Sequence, residues 1–280
     1  MDKKPRVLKV GSNYIVLNTI ENWSCTSNDR QKINFITRSN TPLMCIDLNQ
    51  DKCVLLQESI DAKIGNKKIS LSRPNEISLS MHIANGSLKN SQAIRKSIIQ
   101  KIGKDKSKNF FEDDVIEIYD YLEEVQKVIV FSYKAIEAMC NSAIPDDYQY
   151  KKSSNKNGVV EIYDKLGIER WVSTTEKVSK ILPDIYGCAS PKQKSFWGHF
   201  KKLEDLRNEI IHSKSSSTSQ VLSELLSSDI DKYVKSCEGL LKFFFEQDRG
   251  NPLFPLIPGV TEIVSTEMEN MEEYFTNINS

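Results

Sequence analysis

Three polar residues at the end of one predicted helix have types and spacing suited to acid–base chemistry. They are Arg207, Asn208 and His212, and the segment 206–212 reads Leu-Arg-Asn-Glu-Ile-Ile-His. Asn208 precedes His212 by four residues, so it lies one helical turn away, where its amide could hydrogen-bond and orient the imidazole. Because an imidazole titrates near neutral pH, His212 is suited to transferring a proton. Glu204 and Lys201 continue this polar stripe towards the start of the helix.

Arg207 occupies a different face of the same helix. A helical wheel places it in an apolar arc with Phe196, Phe200, Leu203, Leu206, Ile210 and Ile211. Burying a guanidinium is costly, so Arg207 must reach water, pair with an acid or be held in place for function. Arg207 and His212 are separated by about 140° on an ideal helix. They could therefore meet one phosphate only at a frayed helix end or in a cleft closed by a second helix.

Both residues also have purely structural interpretations. A histidine in the last turn stabilises the helix dipole and hydrogen-bonds the last carbonyl groups, which could be all that His212 does. Arg207 could be half of a structural ion pair, and Glu137 is the candidate partner. The two views of Arg207 are compatible, since a contact with Glu137 could also aim the guanidinium at a cleft.

The elements that must position these residues fall into two regions, which predicts an α+β protein. In residues 1–87, short alternating or β-branched runs are separated by turn-forming residues. This pattern predicts an N-terminal all-β domain of unknown role. These runs cover residues 7–17, 32–37, 43–56, 68–72 and 76–82. Residues 88–111 predict a connecting helix and a polar loop.

From residue 112 to 247 the apolar residues follow the helical period, which predicts an all-α bundle. Its centre is a long helix from about 113 to 142, apolar nearly all round in its middle. Further helices are predicted at 159–166, 173–182, 193–212 and 220–247. Residues 248–280 predict a C-terminal tail.

Composition excludes several classes of function. The chain has 38 basic and 38 acidic residues, so any contact with a polyanion must be local. It has three histidines, and its six cysteines form no Cys-x-x-Cys pair, so no metal site is expected from local motifs. A structural zinc site built by distant cysteines is the remaining metal alternative. No apolar run approaches the roughly 18 residues of a membrane span, which predicts a cytoplasmic protein with no membrane partner.

The Arg-x4-His spacing, with Asn directly after the Arg and an apolar pair before the His, resembles the motif of the HEPN superfamily of prokaryotic ribonucleases and helical modules. Two more segments look similar to HEPN subfamilies of defence loci. Residues 135–141 read Ala-Ile-Glu-Ala-Met-Cys-Asn and precede Ile144-Pro145, and residues 175–183 read Thr-Glu-Lys-Val-Ser-Lys-Ile-Leu-Pro. The resemblance covers roughly residues 112–247.

What the resemblance implies is an endoribonuclease that needs no metal or cofactor and uses the 2′-hydroxyl of RNA as its nucleophile. His212 would be the general acid or base, and Arg207 would hold the scissile phosphate. Asn208 would orient the histidine or the phosphate. Glu137, Asn141 and Glu204 are expected to support these residues, and a local positive rim for RNA is expected from Lys194, Lys201, Lys202 and Lys214.

The resemblance also implies a homodimer, in which two copies of the helix line one cleft. The activity would be that of an effector of a bacterial antiphage defence or toxin system, with an antitoxin or sensor protein as a possible partner. The alternatives are a non-catalytic HEPN module for dimerisation or partner binding, with function in the β-rich region, and nucleic-acid binding without chemistry.

Overall fold

A computed structural model describes residues 13–21, 30–32, 38–47, 52–104, 108–153, 160–212, 218–248, 251, 254 and 262–267. The chain divides into two compact units. One is formed by Met1–Ser78 together with Asp248–Ser280, and the other by Leu79–Gln247. The candidate residues on the predicted helix 193–212 all belong to the second unit.

The strands of the first unit come from both ends of the chain. They are β1 (Asn13–Glu21), β2 (Arg30–Lys32), β3 (Leu43–Asp47), β4 (Lys52–Ile64), β5 (Lys67–Ser72) and β8 (Glu262–Glu267). Within the described residues the order is β1-β4-β3-β8-β2, and β5 pairs with β4. β3 and β8 are parallel, while the other pairs are antiparallel. The hairpin between β4 and β5 turns at Gly65, whose φ of 57° suits glycine.

Helix α1 (Glu76–Ile102) corrects one strand prediction. Residues 76–82 alternate between apolar and polar, yet they form the first two turns of this helix. Asn75 caps it, because its side-chain oxygen accepts a hydrogen bond from the backbone N–H of Ser78 at 2.9 Å. Ile77, Met81 and Ala84 are buried, at the i, i+4, i+7 spacing of a helix. The same helix continues through residues predicted as a connector, up to residue 102.

The second unit is organised around α2 (Asp113–Ala143), which agrees closely with the long helix predicted at 113–142. It packs against α6 (Trp197–His212) and α8 (Ile230–Phe245). The shared core is made of side chains that are almost completely buried on these three helices. They include Val128, Ile129, Ile136, Met139, Phe200, Leu203, Tyr233, Leu240 and Phe244.

Shorter elements complete this unit. β6 (Tyr150–Ser153) pairs with β7 (Val160–Tyr163), and α3 (Lys165–Trp171) follows. Next come α4 (Thr174–Glu176), a π-helical turn (Lys177–Ile181) and α5 (Leu182–Tyr186) in one continuous helical stretch. A 3₁₀ turn (Pro191–Gln193) precedes α6, and α7 (Thr218–Leu225) precedes α8.

The prediction of an all-β domain followed by an all-α bundle is wrong. The described part of the chain is mostly helical, and helix replaces the last predicted strand of residues 1–87. The sheet is not N-terminal alone, because β8 comes from the predicted tail. A two-stranded sheet, β6 and β7, also interrupts the helical part.

Two predicted helices of the second unit also differ from the structure. The pattern of residues 159–166 predicts a helix, but Val160, Ile162 and Tyr163 suit a strand, and Asp164 starts the next helix. The Asp164 carboxylate accepts from the backbone N–H of Gly167 at 2.7 Å, so α3 begins only after it. The predicted helix 220–247 is two helices, α7 and α8, broken near Ser227 and Asp229.

No helix in the described ranges is both long and apolar enough to span a membrane.

Candidate active site

Helix α6 buries one face between Phe200 and Leu206 and is largely exposed in its last turn. Phe200 and Leu203 are fully buried and Leu206 nearly so, as the apolar arc predicts. Ile211 belongs to the same predicted arc, yet it is 49% exposed, and Asn208 and His212 are exposed as well. The end of α6 therefore presents polar and apolar groups to solvent, next to the core that fixes the rest of the helix.

Arg207 is held from three sides at this point. Its guanidinium lies 3.6 Å from a carboxylate oxygen of Glu137 and donates a 3.1 Å hydrogen bond to Oδ1 of Asn208. The guanidinium carbon is 5.0 Å from the centre of the Tyr133 ring, within the range of a cation–π interaction. About a quarter of the Arg207 side chain, 26%, remains exposed. The expected contact with Glu137 is present, and the guanidinium is oriented without being sealed from solvent.

The aromatic ring of Tyr133, on α2, lies beneath the Arg207 guanidinium. Its hydroxyl donates to Oε1 of Glu204 at 2.9 Å, and its ring stacks on Phe200 with an interplanar angle of 10°. Burial, followed by the nearby Glu204 carboxylate, raises the pKa of this hydroxyl, so it stays protonated as a donor. The ring that carries Arg207 is thus fixed both at its face and at its hydroxyl.

Glu204 anchors this arrangement from inside the unit. Its side chain is only 9% exposed and accepts hydrogen bonds from Tyr133, from Thr175 at 2.6 Å and from Lys201. Burial raises the pKa of the carboxyl, but the hydrogen bonds from Lys201, Thr175 and Tyr133 outweigh it, so the pKa lies below its ordinary value. Glu204 is therefore a buried carboxylate that supports Tyr133, not a member of an exposed stripe.

His212 is the last residue of α6, and its side chain is exposed. The predicted hydrogen bond from Asn208 to its imidazole is not formed, and Asn208 Oδ1 instead accepts from the neighbouring, positively charged Arg207. In the part of the chain that the structure describes, no group orients the imidazole. A ligand or a second copy of the chain can therefore reach His212.

Asn141 belongs to the same stripe of α2 as Tyr133 and Glu137, at intervals of four residues. Its Oδ1 accepts a 2.9 Å hydrogen bond from the buried ammonium group of Lys177, in the π-helical turn. Asn141 thus connects the face of α2 that carries Tyr133 and Glu137 to the π-helical turn, through its hydrogen bond with Lys177.

The lysines that were expected to form a positive rim for RNA are mostly engaged in other contacts or lie beside carboxylates. Lys201 is paired with Glu204, and the Lys194 ammonium lies 5.6 Å from the centre of the Phe243 ring. Lys202 is exposed and lines a cavity of about 390 Å³ between α6, α7 and α8. Asp205, Glu209 and Glu224 also line that cavity, so it does not suit a phosphate. Lys214 lies outside the described residues.

Within the described ranges no three His, Cys, Asp or Glu side chains come together as ligands for a metal ion. Comparisons with known proteins returned no matching family model, no similar curated protein and no similar solved structure. The HEPN resemblance therefore stays a prediction that depends on the motifs and on the geometry at the end of α6.

Sequence reasoning missed Tyr133, Thr175 and Lys177 as parts of this site. Tyr133 had a recognisable signal, because it precedes Glu137 by one turn and so shares its face of α2. Thr175 and Lys177 lie in the segment quoted for the family resemblance, yet their contacts join elements that are far apart in the chain. Spacing within one helix does not reveal such contacts.

Proposed function

We propose that this protein is a metal-independent endoribonuclease of the HEPN type, acting as an effector of a bacterial antiphage defence or toxin system. The observation that carries the proposal is the setting of Arg207. Its guanidinium is held by Glu137, Tyr133 and Asn208 but remains partly exposed, little more than one turn before an exposed histidine. A preoriented, partly exposed guanidinium suits the charge that develops on a phosphate during cleavage.

The proposed reaction is an internal transesterification of RNA. The 2′-oxygen attacks the adjacent phosphorus, the bond to the 5′-oxygen breaks, and the products are a 2′,3′-cyclic phosphate and a 5′-hydroxyl. One proton leaves the 2′-hydroxyl and one is added to the departing 5′-oxygen, and His212 performs one of these transfers. Arg207 binds the non-bridging oxygens through its planar, two-pronged donor.

A homodimer is part of the proposal. The Arg207 side chain contacts α2, whereas the His212 side chain is exposed, about 140° away on an ideal helix, so we expect that one copy does not present both to one phosphate. Two copies of the end of α6 that face each other would line one cleft with both residues. The exposed Ile211 at this end would be covered by such a contact.

The direct test is RNA cleavage in the presence of EDTA. The parent protein, Arg207→Ala and His212→Ala are incubated with tRNA and with an unstructured RNA oligonucleotide, and the product ends are analysed. Arg170→Ala and His199→Ala are matched controls, since both residues lie in the same unit and outside the candidate site. We expect cyclic phosphate ends from the parent and the controls, with cleavage reduced at least about a hundredfold in the two site variants. Equal cleavage by parent and site variants would refute the proposal.

A mixed dimer tests whether the two copies share one site. Arg207→Ala and His212→Ala subunits are unfolded together, refolded and assayed. If Arg207 of one copy acts with His212 of the other, half of the dimers are mixed and each has one intact site, which restores about a quarter of the parental activity. If each copy acts alone, the mixture stays inactive, and the shared cleft is wrong.

A second candidate function is a non-catalytic module for dimerisation or partner binding. It is favoured by the contact of Arg207 with Glu137, because a structural ion pair needs no substrate. In that case the parent cuts no RNA, while Glu137→Gln and Arg207→Ala lower the melting temperature by similar amounts. Cleavage that depends on Arg207 and His212 would exclude it.

A further inference from the structure

Lys177 is a buried lysine beside the candidate site, and the proposed chemistry does not use it. Its side chain is buried, with the residue 3% exposed. The ammonium group donates to Oδ1 of Asn141 at 2.9 Å and to the backbone carbonyl of Glu169 at 3.1 Å. Both of these partners are neutral, and a buried charge of this kind is costly. A lysine held in this way is not explained by packing alone.

The backbone around Lys177 is also unusual. Lys177 opens the π-helical turn Lys177–Ile181, which links α4 to α5 without a break. Single π-helical turns inside α-helices are rare and are often found at functional sites. The turn brings the lysine ammonium to Asn141 of α2, 36 residues earlier in the chain.

Lys177 acts on the same stripe of α2 that meets Arg207. Tyr133, Glu137 and Asn141 follow one another at four-residue intervals, so they lie on one face of the helix. Arg207 contacts Tyr133 and Glu137, and Lys177 binds Asn141 one turn further on. Burial lowers the pKa of the Lys177 ammonium, because a low-dielectric surrounding disfavours the charged form.

We infer that Lys177 is a positioning residue of the candidate active site: its ammonium group holds Asn141, and thereby fixes the face of α2 that sets where Arg207 stands. The Lys177 ammonium bridges Asn141 of α2 and the backbone carbonyl of Glu169 in α3, so it ties these two helices together. Because Tyr133 and Glu137 lie on the same helix as Asn141, this anchor fixes the two side chains that contact Arg207.

This inference rests on the proposed function for its catalytic meaning, but it can be tested without RNA. The probe is the Nε–Hε signal of Arg207 in protein labelled with ¹⁵N-arginine, assigned with Arg207→Lys. We expect the Tyr133 ring, whose centre lies 5.0 Å from the guanidinium carbon, to shift this signal upfield. In Lys177→Met, which keeps the apolar stem without the charge, we expect the signal to move relative to the parent. Lys180→Met is the matched control, because Lys180 is 57% exposed in the same π-helical turn and pairs with Glu176.

An unchanged Arg207 signal in folded Lys177→Met would overturn the inference. If that variant does not fold, the decision passes to Asn141→Ala and Asn141→Asp. The aspartate still offers an oxygen to Lys177, so its Arg207 signal should stay close to the parent, while the alanine variant should lose the upfield shift. An equal response of the two variants would also overturn the inference.

Cleavage kinetics separate positioning from simple destabilisation. If the parent cuts RNA, Lys177→Met should lower kcat about tenfold or more while KM changes less than about threefold, because a displaced Arg207 mainly affects the transition state. A KM change with unaltered kcat would overturn the inference. A parent that cuts no RNA refutes the proposed function and leaves the Arg207 signal as the test of the link to Lys177.

Discussion

Tyr133→Phe tests the hydrogen bond that holds the Tyr133 ring in place beneath Arg207. The substitution removes only the hydroxyl, which donates to the buried Glu204 carboxylate at 2.9 Å. Thr175 and Lys201 still bind that carboxylate, and the ring still stacks on Phe200 beneath Arg207. A hydrogen bond to a charged group contributes about 1.5–3 kcal/mol, and Tyr133 is only 4% exposed, so little solvent screening is expected.

We therefore expect a loss of about 2 kcal/mol in the free energy of unfolding, measured by urea titration. The melting temperature should fall by roughly 4–8 °C, at about 2–4 °C per kcal/mol for a unit of this size. The matched control is Tyr148→Phe, which removes the same kind of bond, 2.8 Å to Asp184, from the surface. That variant should lose less than about 0.5 kcal/mol.

Equal losses of unfolding free energy in the two variants would refute the reasoning that burial increases the contribution of the Tyr133 hydrogen bond to stability. Activity gives a second reading of the same variant. Because the ring remains, RNA cleavage by Tyr133→Phe should stay within about threefold of the parent. A variant with normal stability and no cleavage would show that the hydroxyl itself takes part in the reaction, contrary to the role assigned to it.

Gly239→Ala should cost about 1–3 kcal/mol in urea unfolding, because the added Cβ would lie 2.6 Å from Cδ1 of Phe196. Gly198→Ala meets nothing within 4 Å in helix α6 and should stabilise by about 0.5–1 kcal/mol, so a loss in both variants would contradict the packing argument. Glu176 is partly buried, which raises its pKa, but three hydrogen-bond donors lower it to about 2. Since this pKa lies below the ordinary value of 4.5, Glu176 stabilises the fold above pH 4.5, and that contribution is lost as the pH falls towards 2. Melting temperatures across this range should fall less steeply for Glu176→Gln than for the parent, and parallel curves would exclude the assignment. Arg207→Lys keeps the charge but loses the planar fork, so its cleavage should be reduced at least about tenfold, and full activity would show that charge alone suffices.

Helical period alone identifies the elements that carry the candidate site. It predicts a central helix at 113–142, and the structure has this helix at Asp113–Ala143. It also predicts that the helix with Arg207 ends at His212, which is the last residue of α6. Both predictions succeed because an amphipathic or apolar helix of many turns repeats its signal. The prediction is wrong at residues 76–82 and 159–166, because segments of about seven or eight residues fit both periods and the cap residues Asn75 and Asp164 decide the outcome.

The sequence by itself determined which residues stand on the end of α6 and that Arg207 would need a partner, with Glu137 as the candidate. These are local properties, because helix geometry and the cost of burying a guanidinium follow from spacing and chemistry alone. Only the tertiary structure decided that Tyr133 lies beneath Arg207, that Glu204 is buried and that Lys177 reaches Asn141. The physical reason is distance along the chain: Tyr133 and Glu204 are 71 residues apart, and hydrogen bonds between them exist only once α2 and α6 have packed together.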